Sequence, residues 1–163
     1  MRRRPLSPPF DELDYRIITC LNRDARMSAS EIERETGANQ RTIRKRIERL
    51  VETGAIRLRA VVDPLVFGYV VSIDALLSVE AERQAEIIAK LEQMPPITYL
   101  ATGQGSDEYS IEARFPDVDS MQSFLKDTLG GIEGLEIRSY ALVPRIIRNI
   151  DDWLPPEEDF GSG

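Results

Sequence analysis

Apolar side chains along this chain change their spacing once, and that change divides it into two differently built parts. Up to about residue 53 they recur every three to four positions, as in Leu13, Ile17, Ile18 and Leu21 or Ile43, Ile47 and Leu50, the spacing that lines one face of a helix. From Val71 they recur every second position: Val71, Ile73, Ala75, Leu77 and Val79 alternate with Ser72, Asp74 and Ser78, as in a strand with one buried face. Asp63-Pro64 interrupts the chain between them, so residues 64–69 are expected to be a hinge between a domain over 10–63 and a second over 70–148.

The first part carries three sets of helix boundaries. Residues 10–26 read as a helix with Asp11 as N-cap and Asp14 three positions on. A second, short helix starts at Ser28 or Ser30, where Ser28-Ala29-Ser30-Glu31 matches a capping box, and Gly37 supplies the left-handed residue that ends it. The third starts after Asn39 and runs to about residue 53, with Gly54 behind it. A helix of two turns joined to the next by Gly37-Ala38-Asn39 is what a helix-turn-helix requires, because its two helices cross steeply with almost no loop. Residues 56–62 then read as extended, a wing or exit strand.

In the second part the strand over 71–79 is followed by a helix over 81–94, which Pro95-Pro96 ends. Strands over 97–102 and 108–115 flank the turn Gly103-Gln104-Gly105-Ser106-Asp107. Asp117 caps a further helix that places Val118, Met121, Phe124, Leu125 and Leu129 inward before Gly130-Gly131, and a last strand covers 135–144. Strand, helix, strand, strand, helix, strand is the ferredoxin-like order, an antiparallel sheet with both helices on one face, so the chain is α+β. Val70, Leu76, Leu100, Tyr140 and Leu142 are expected on the other face, and so apolar a surface predicts that two sheets pack in a homodimer.

Composition removes several chemistries. There is no histidine and Cys20 is the only cysteine, which excludes a disulfide framework, a Cys/His zinc site, a Ser-His-Asp triad and a Cys-His pair; an acidic dyad stays formally open. Cys20, among Ile17, Ile18 and Leu21, reads as a small core filler. No cofactor is indicated. The longest nearly uncharged apolar run, residues 65–73, falls far short of the ~18 residues of a spanning helix, and prolines follow Arg4 where a signal peptide needs an apolar run, so a soluble cytoplasmic protein is expected. The net charge of −7 conceals an asymmetry: residues 1–60 hold 14 Lys/Arg against 9 Asp/Glu, a net +5, and residues 61–163 hold 7 against 19, a net −12. A local cationic footprint matters more than the chain total for nucleic-acid binding. Residues 1–9 are expected to be a flexible basic arm and residues 149–163 an acidic, disordered tail.

The third helix carries the chemistry. Stepping ~100° per residue from buried Ile43 keeps Ile47 and Leu50 nearby and turns Arg41, Lys45, Glu48 and Arg49 away, with Arg44 on the flank. Asn39 and Gln40 at its start can reach base edges, and the cations that follow can neutralise phosphates. A solvated charged face is the competing account, to which Glu48 and Glu52 lend weight.

These residues carry a resemblance. Phe10-Asp11-Glu12-Leu13-Asp14, residues 39–49, and Gly54-Ala55-Ile56 followed by Val61-Val62-Asp63-Pro64 resemble the N-terminal half of the Lrp/AsnC family of bacterial and archaeal transcriptional regulators. Thr102-Gly103 ahead of an acidic residue in a hairpin, and Ser139-Tyr140-Ala141-Leu142-Val143, resemble that family's amino-acid-sensing domain, so the likeness covers residues 10–148. It implies a winged helix-turn-helix that binds double-stranded DNA sequence-specifically, and a second domain that dimerises, often assembles into larger even-numbered oligomers, and binds a small effector, commonly an amino acid. Matching positions give Asn39, Gln40, Arg41, Thr42, Arg44, Lys45 and Arg49 as the DNA-contacting set and Thr102, Gly103, Gly105 and Asp107 as the effector-binding set. Gly103 and Asp107 are separated by three residues where the family has two. Asp74 is a second acidic candidate for an effector's ammonium. Two alternatives accompany this reading. One is an architectural DNA-binding protein of weak specificity; the other is an enzyme resembling the siroheme decarboxylases, which are expected to rely on the histidine that this chain lacks.

Overall fold

Side-chain caps set the start of each N-terminal helix in the computed structural model, which describes residues 10–103 and 108–161. The expected basic arm, residues 1–9, lies outside them. Helix α1 (Glu12–Arg23) starts at Asp11 through a reciprocal box: Asp14 N–H donates to Asp11 Oδ1 and Asp11 N–H to Asp14 Oδ2, each at 3.1 Å. It stops three residues before the expected end, because Asp24 adopts an extended backbone. Helix α2 (Ala29–Thr36) has the Ser28/Glu31 box and ends at Gly37, whose φ of 75° is left-handed. Helix α3 (Gln40–Glu52) starts at Asn39, whose Oδ1 accepts from Thr42 N–H at 3.0 Å. The three bury Ile17, Cys20, Leu21, Ile32, Ile43 and Leu50 in one core, where each large aliphatic contributes about 1.5 to 3 kcal/mol of transfer free energy. Cys20 is the core filler expected, and burial pushes its thiol pKa up.

One polar group interrupts that core. Asp14 is fully buried, and beyond its role in the cap its Oδ2 accepts from Arg46 Nη1 at 3.0 Å and from Arg49 Nη2. Arg46 Nη1 also donates to Asp11 Oδ2 at 2.6 Å, and the Arg49 guanidinium lies 5.5 Å from the centre of the Phe10 ring. An isolated buried carboxylate is costly, so two arginines one helical turn apart on α3 are drawn to the first turn of α1. This fixes the rotation of α3 about its own axis.

Two features of this unit differ from the sequence reading. Residues 56–63 have no strand partner among the described residues, so the expected wing strand does not form: Ile56 packs against the helical core while Arg57, Leu58, Arg59, Val61 and Val62 stay exposed. The C-terminal segment is not a disordered tail. Short 3₁₀ turns at Ile150–Asp152 and Glu157–Asp159 carry it back along α1, and residues 148–161 form one compact unit with residues 10–61. Apolar anchors hidden among the acids, Phe160 above all, account for the difference: its ring lies 5.1 Å from that of Tyr15.

The second unit, Val62–Ile147, starts with an exposed turn over residues 64–68 and contains four strands: β1 (Val71–Val79), β2 (Ile97–Thr102), β3 (Glu108–Phe115) and β4 (Leu135–Leu142). Their order is β2-β3-β1-β4 with every neighbour antiparallel, the ferredoxin-like arrangement expected. Helix α4 (Gln84–Leu91) and helix α5 (Val118–Ser123), which continues as a π-turn over Phe124–Leu129, cover one face. Ile87, Leu91, Met121, Phe124, Leu125 and Leu129 pack there on Ile73, Ala75, Leu77, Ile111 and Ala113. Val118, expected inward, is exposed in the first turn of α5.

The uncovered face is less apolar than expected. Leu100 pairs with core residue Ile111 and packs on the helical side, whereas Tyr99 pairs with Glu112 and takes the open side, because the register of β2 shifts between Ile97 and Tyr99. A second shift, opposite Leu76 and Leu77, puts Tyr140 across from Ala75 and Leu142 across from Ile73, although both stay exposed at the edge strand. Val70 is exposed ahead of β1. Of the five residues expected on that face, the strand register puts Leu76 there, and Tyr140 lines the concavity beside it.

Two predictions follow from Asp14 and its neighbours. Replacing both Arg46 and Arg49 by methionine strands a buried carboxylate and is expected to cost the N-terminal unit about 3 to 5 kcal/mol, against about 1 to 3 for Asp14→Asn. Urea unfolding followed by amide exchange in α1 and α3 measures both, and equal small losses would contradict this account. The second concerns pH. Burial acts to raise the Asp11 carboxyl pKa, but hydrogen bonds from Arg46 and from the Asp14 backbone outweigh it and hold the value below the ordinary one. A carboxyl depressed on folding stabilises above the unfolded-state pKa, near ~4, and that contribution is lost as pH falls through the folded value. Asp11→Asn keeps the capping oxygen without the charge, so the stability gap between wild type and variant is expected to close below about pH 4. A gap that stays constant between pH 7 and pH 2 would show that the charge is irrelevant.

Candidate nucleic-acid interface

With Ile43 and Leu50 sealed in the core, α3 presents Arg41, Arg44, Lys45 and Glu48 to solvent. Three cations and one acid form that arc, and no ion pair within 4 Å is found for Arg41, Arg44 or Lys45 among the described residues. At the start of the helix, Asn39 uses its side-chain oxygen as the cap and leaves its amide NH₂ outward. Gln40 is partly fixed: its Nε2 donates to Glu33 Oε2 on α2 at 2.8 Å, and its Oε1 accepts from Arg44 Nη2 at 3.2 Å. Thr42 is half-buried. The connection between α2 and α3 is tightened by Thr36, whose hydroxyl donates to the Ile32 carbonyl at 2.8 Å and accepts from Ala38 N–H at 3.3 Å.

Arg49 stands apart from the rest of the predicted set. Its guanidinium pairs with Asp14 and stacks on Phe10, so it belongs to the joint between α1 and α3. Arg46, which the helical wheel did not single out, shares that joint, and its pairing with Asp11 and Asp14 holds its pKa above the ordinary arginine value. The acidic pair Asp11/Asp14 and the basic pair Arg46/Arg49 have the same spacing of three, which is the signal that could have matched them. Using it requires knowing that the two helices pack with those turns adjacent.

In the second unit, Thr102 and Gly103 close the end of the β2–β3 hairpin. Gly103 N–H donates to the Glu108 carbonyl at 3.0 Å, and the Thr102 hydroxyl to the Gly103 carbonyl at 3.2 Å. Gly105 and Asp107, the other expected effector residues, lie outside the described residues. Asp74 is exposed on the open face of the sheet, beside a concavity of ≈ 500 Å³ that Leu76, Tyr99, Ser110 and Glu112 also line. None of the described helices is long and apolar enough to cross a membrane.

Comparison with known proteins covers both units. The AsnC-type helix-turn-helix domain matches residues 10–51, and the Lrp/AsnC ligand binding domain matches residues 74–147. The HTH-type transcriptional regulator FL11 of Pyrococcus furiosus is 34% identical over 128 residues, covering 78% of this chain and 84% of the relative. The HTH-type transcriptional regulator Ptr1 of Methanocaldococcus jannaschii is 31% identical over 121 residues, covering 74% and 82%. Among solved structures, AsnC of E. coli superposes with a TM-score of 0.76 at 26% identity, covering 86% of this chain and 97% of that one. The L-Met complex of transcriptional regulator NMB0573 from Neisseria meningitidis shares the fold, with a TM-score of 0.79 at 18% identity, covering 85% and 92%. Two family domains in the family's order, on the helix-turn-helix and the ferredoxin-like sheet described above, establish that this chain belongs to the Lrp/AsnC family of helix-turn-helix transcriptional regulators.

Proposed function

We propose that this regulator acts in the cytoplasm as a homodimer or a larger even-numbered assembly, not as an enzyme, and that it reads DNA through the arc Arg41, Arg44 and Lys45 with Asn39, Gln40 and Thr42 at the start of α3. The observation that carries the reading is the contrast within one helix. Arg46 and Arg49 are held by acids, while the three cations of the arc are exposed and free of ion pairs among the described residues. Helix α3 meets the major groove with its first turns, where Arg41 can donate a bidentate pair to guanine, while Lys45, one turn further on, supplies a point charge to phosphate. A dimer would present two such helices about 34 to 36 Å apart, one turn of the duplex.

A small effector, in particular an amino acid, is the regulating ligand in this reading. The Neisseria structure of the same fold is a complex with L-Met, which supports the ligand class. Thr102, Gly103, Gly105 and Asp107 remain the proposed site, with backbone N–H groups for the ligand's carboxylate and Asp107 for its ammonium. Asp74 and Glu112 on the open sheet face offer another pair of carboxylates. Regulation requires the ligand to bind one assembly state more tightly than another.

Two experiments test these proposals. In competition against random duplex at stated salt, Arg41→Ala is expected to lose about 1 to 3 kcal/mol of discrimination, while Lys45→Ala weakens binding to all sequences and flattens the salt dependence by about one unit. Equal losses on operator and random DNA from both variants would favour an architectural, weakly specific binder. For the effector, sedimentation and operator binding are followed with each amino acid in turn. A change of assembly or occupancy with at least one is expected, and no change with any would refute the sensor reading.

A further inference from the structure

The C-terminal segment lies beyond the residues matched to the ligand binding domain, yet it is built into the DNA-binding unit. It passes from the C-terminal end of α1 to its N-terminal end, where Gly161 forms an isolated parallel bridge with Asp11. Near the C-terminal end of α1, Asn22 Nδ2 donates to the Asp151 carbonyl at 3.4 Å; midway, Tyr15 meets Phe160; at the N-terminal end, Gly161 N–H donates to the Phe10 carbonyl at 2.8 Å and Glu12 N–H to the Gly161 carbonyl at 3.1 Å. A further contact reaches away from α1: Asp151 Oδ1 pairs with Arg59, in the exposed stretch that follows α3.

Charge gives this arrangement its meaning. Residues 149–163 contain five acids and no Lys or Arg, which equals in magnitude the net +5 of residues 1–60. Along the sequence the segment therefore offsets the cationic excess of residues 1–60. The Asp151–Arg59 pair also differs in kind from the pairs that Asp14 makes. Arg59 is 64% exposed and Asp151 25%, so the contact is screened by water and contributes little, whereas Asp14 is fully buried. A phosphate can take a guanidinium from such a partner, and a phosphate contact brings the release of condensed counterions with it.

Resting on the DNA-binding reading above, we infer that the C-terminal segment is an autoinhibitory acidic clasp, in which Asp151 competes with the DNA backbone for Arg59 and so restrains binding to DNA of any sequence. Operator binding, which gains base contacts from the start of α3, overcomes this restraint; random DNA, which gains none, does not.

The test uses the full chain and a random-sequence duplex, titrated between 50 and 200 mM salt. Asp151→Asn removes the charge and leaves the backbone contact to Asn22. It is expected to steepen the salt slope by about one unit, so that its advantage over wild type is about three- to fourfold larger at 50 mM than at 200 mM. Arg59→Ala alone should stay close to wild type, and Asp151→Asn should add nothing in that background. An unchanged slope in Asp151→Asn, or an equal gain with Arg59 absent, would overturn the clasp. Arg41→Ala on operator DNA separates the two levels of inference. If it weakens binding while Asp151→Asn changes nothing, the clasp alone fails. If neither wild type nor Asp151→Asn binds any duplex, the DNA-binding reading fails and the competition with it.

Discussion

The buried carboxylate of Asp14 is the constraint on which the DNA-binding unit depends. One oxygen of this residue closes the cap of α1 and receives both Arg46 and Arg49 from α3. A charge removed from water tolerates little displacement of its partners, so it sets both the contact between the helices and the angular position of α3. Arg46 and Arg49 are thereby committed to the joint with α1, and by the geometry of the same helix Arg41, Arg44 and Lys45 are directed outward. The exposed cationic arc is a consequence of where the other two arginines are held.

This division of labour could be read from the sequence only in part. The caps at Asp11, Ser28, Asn39 and Asp117 were legible because each is a local pattern of four residues, and the strands of the second unit because alternation is local as well. A helical wheel separates buried from exposed positions, but it cannot tell an exposed arginine from one that folds back onto an acid 35 residues earlier, as Arg49 does. That distinction depends on how α1 and α3 pack.

The other departures share this cause. Alternation predicts the faces of a strand only while the register holds, and the shifts in β2 and β4 moved Leu100 to the helical side and set Tyr140 and Leu142 across from Ala75 and Ile73. An acidic composition rich in proline reads as disorder, yet Phe160 and the backbone of Gly161 find partners on α1, more than 140 residues away. A wing strand was expected from the extended pattern of residues 56–62, but a strand needs a partner and none is present among the described residues.

The central claim is that two arginines of α3 hold the helix and two others meet DNA, and arginine side-chain NMR tests it directly. Nε–H resonances are assigned for the free protein and followed while a duplex retained from genomic fragments is added. Arg41 and Arg44 are predicted to shift and sharpen on binding, while Arg46 and Arg49 keep their positions against Asp14. The opposite pattern, with Arg46 and Arg49 moving and Arg41 and Arg44 unchanged, would contradict the account.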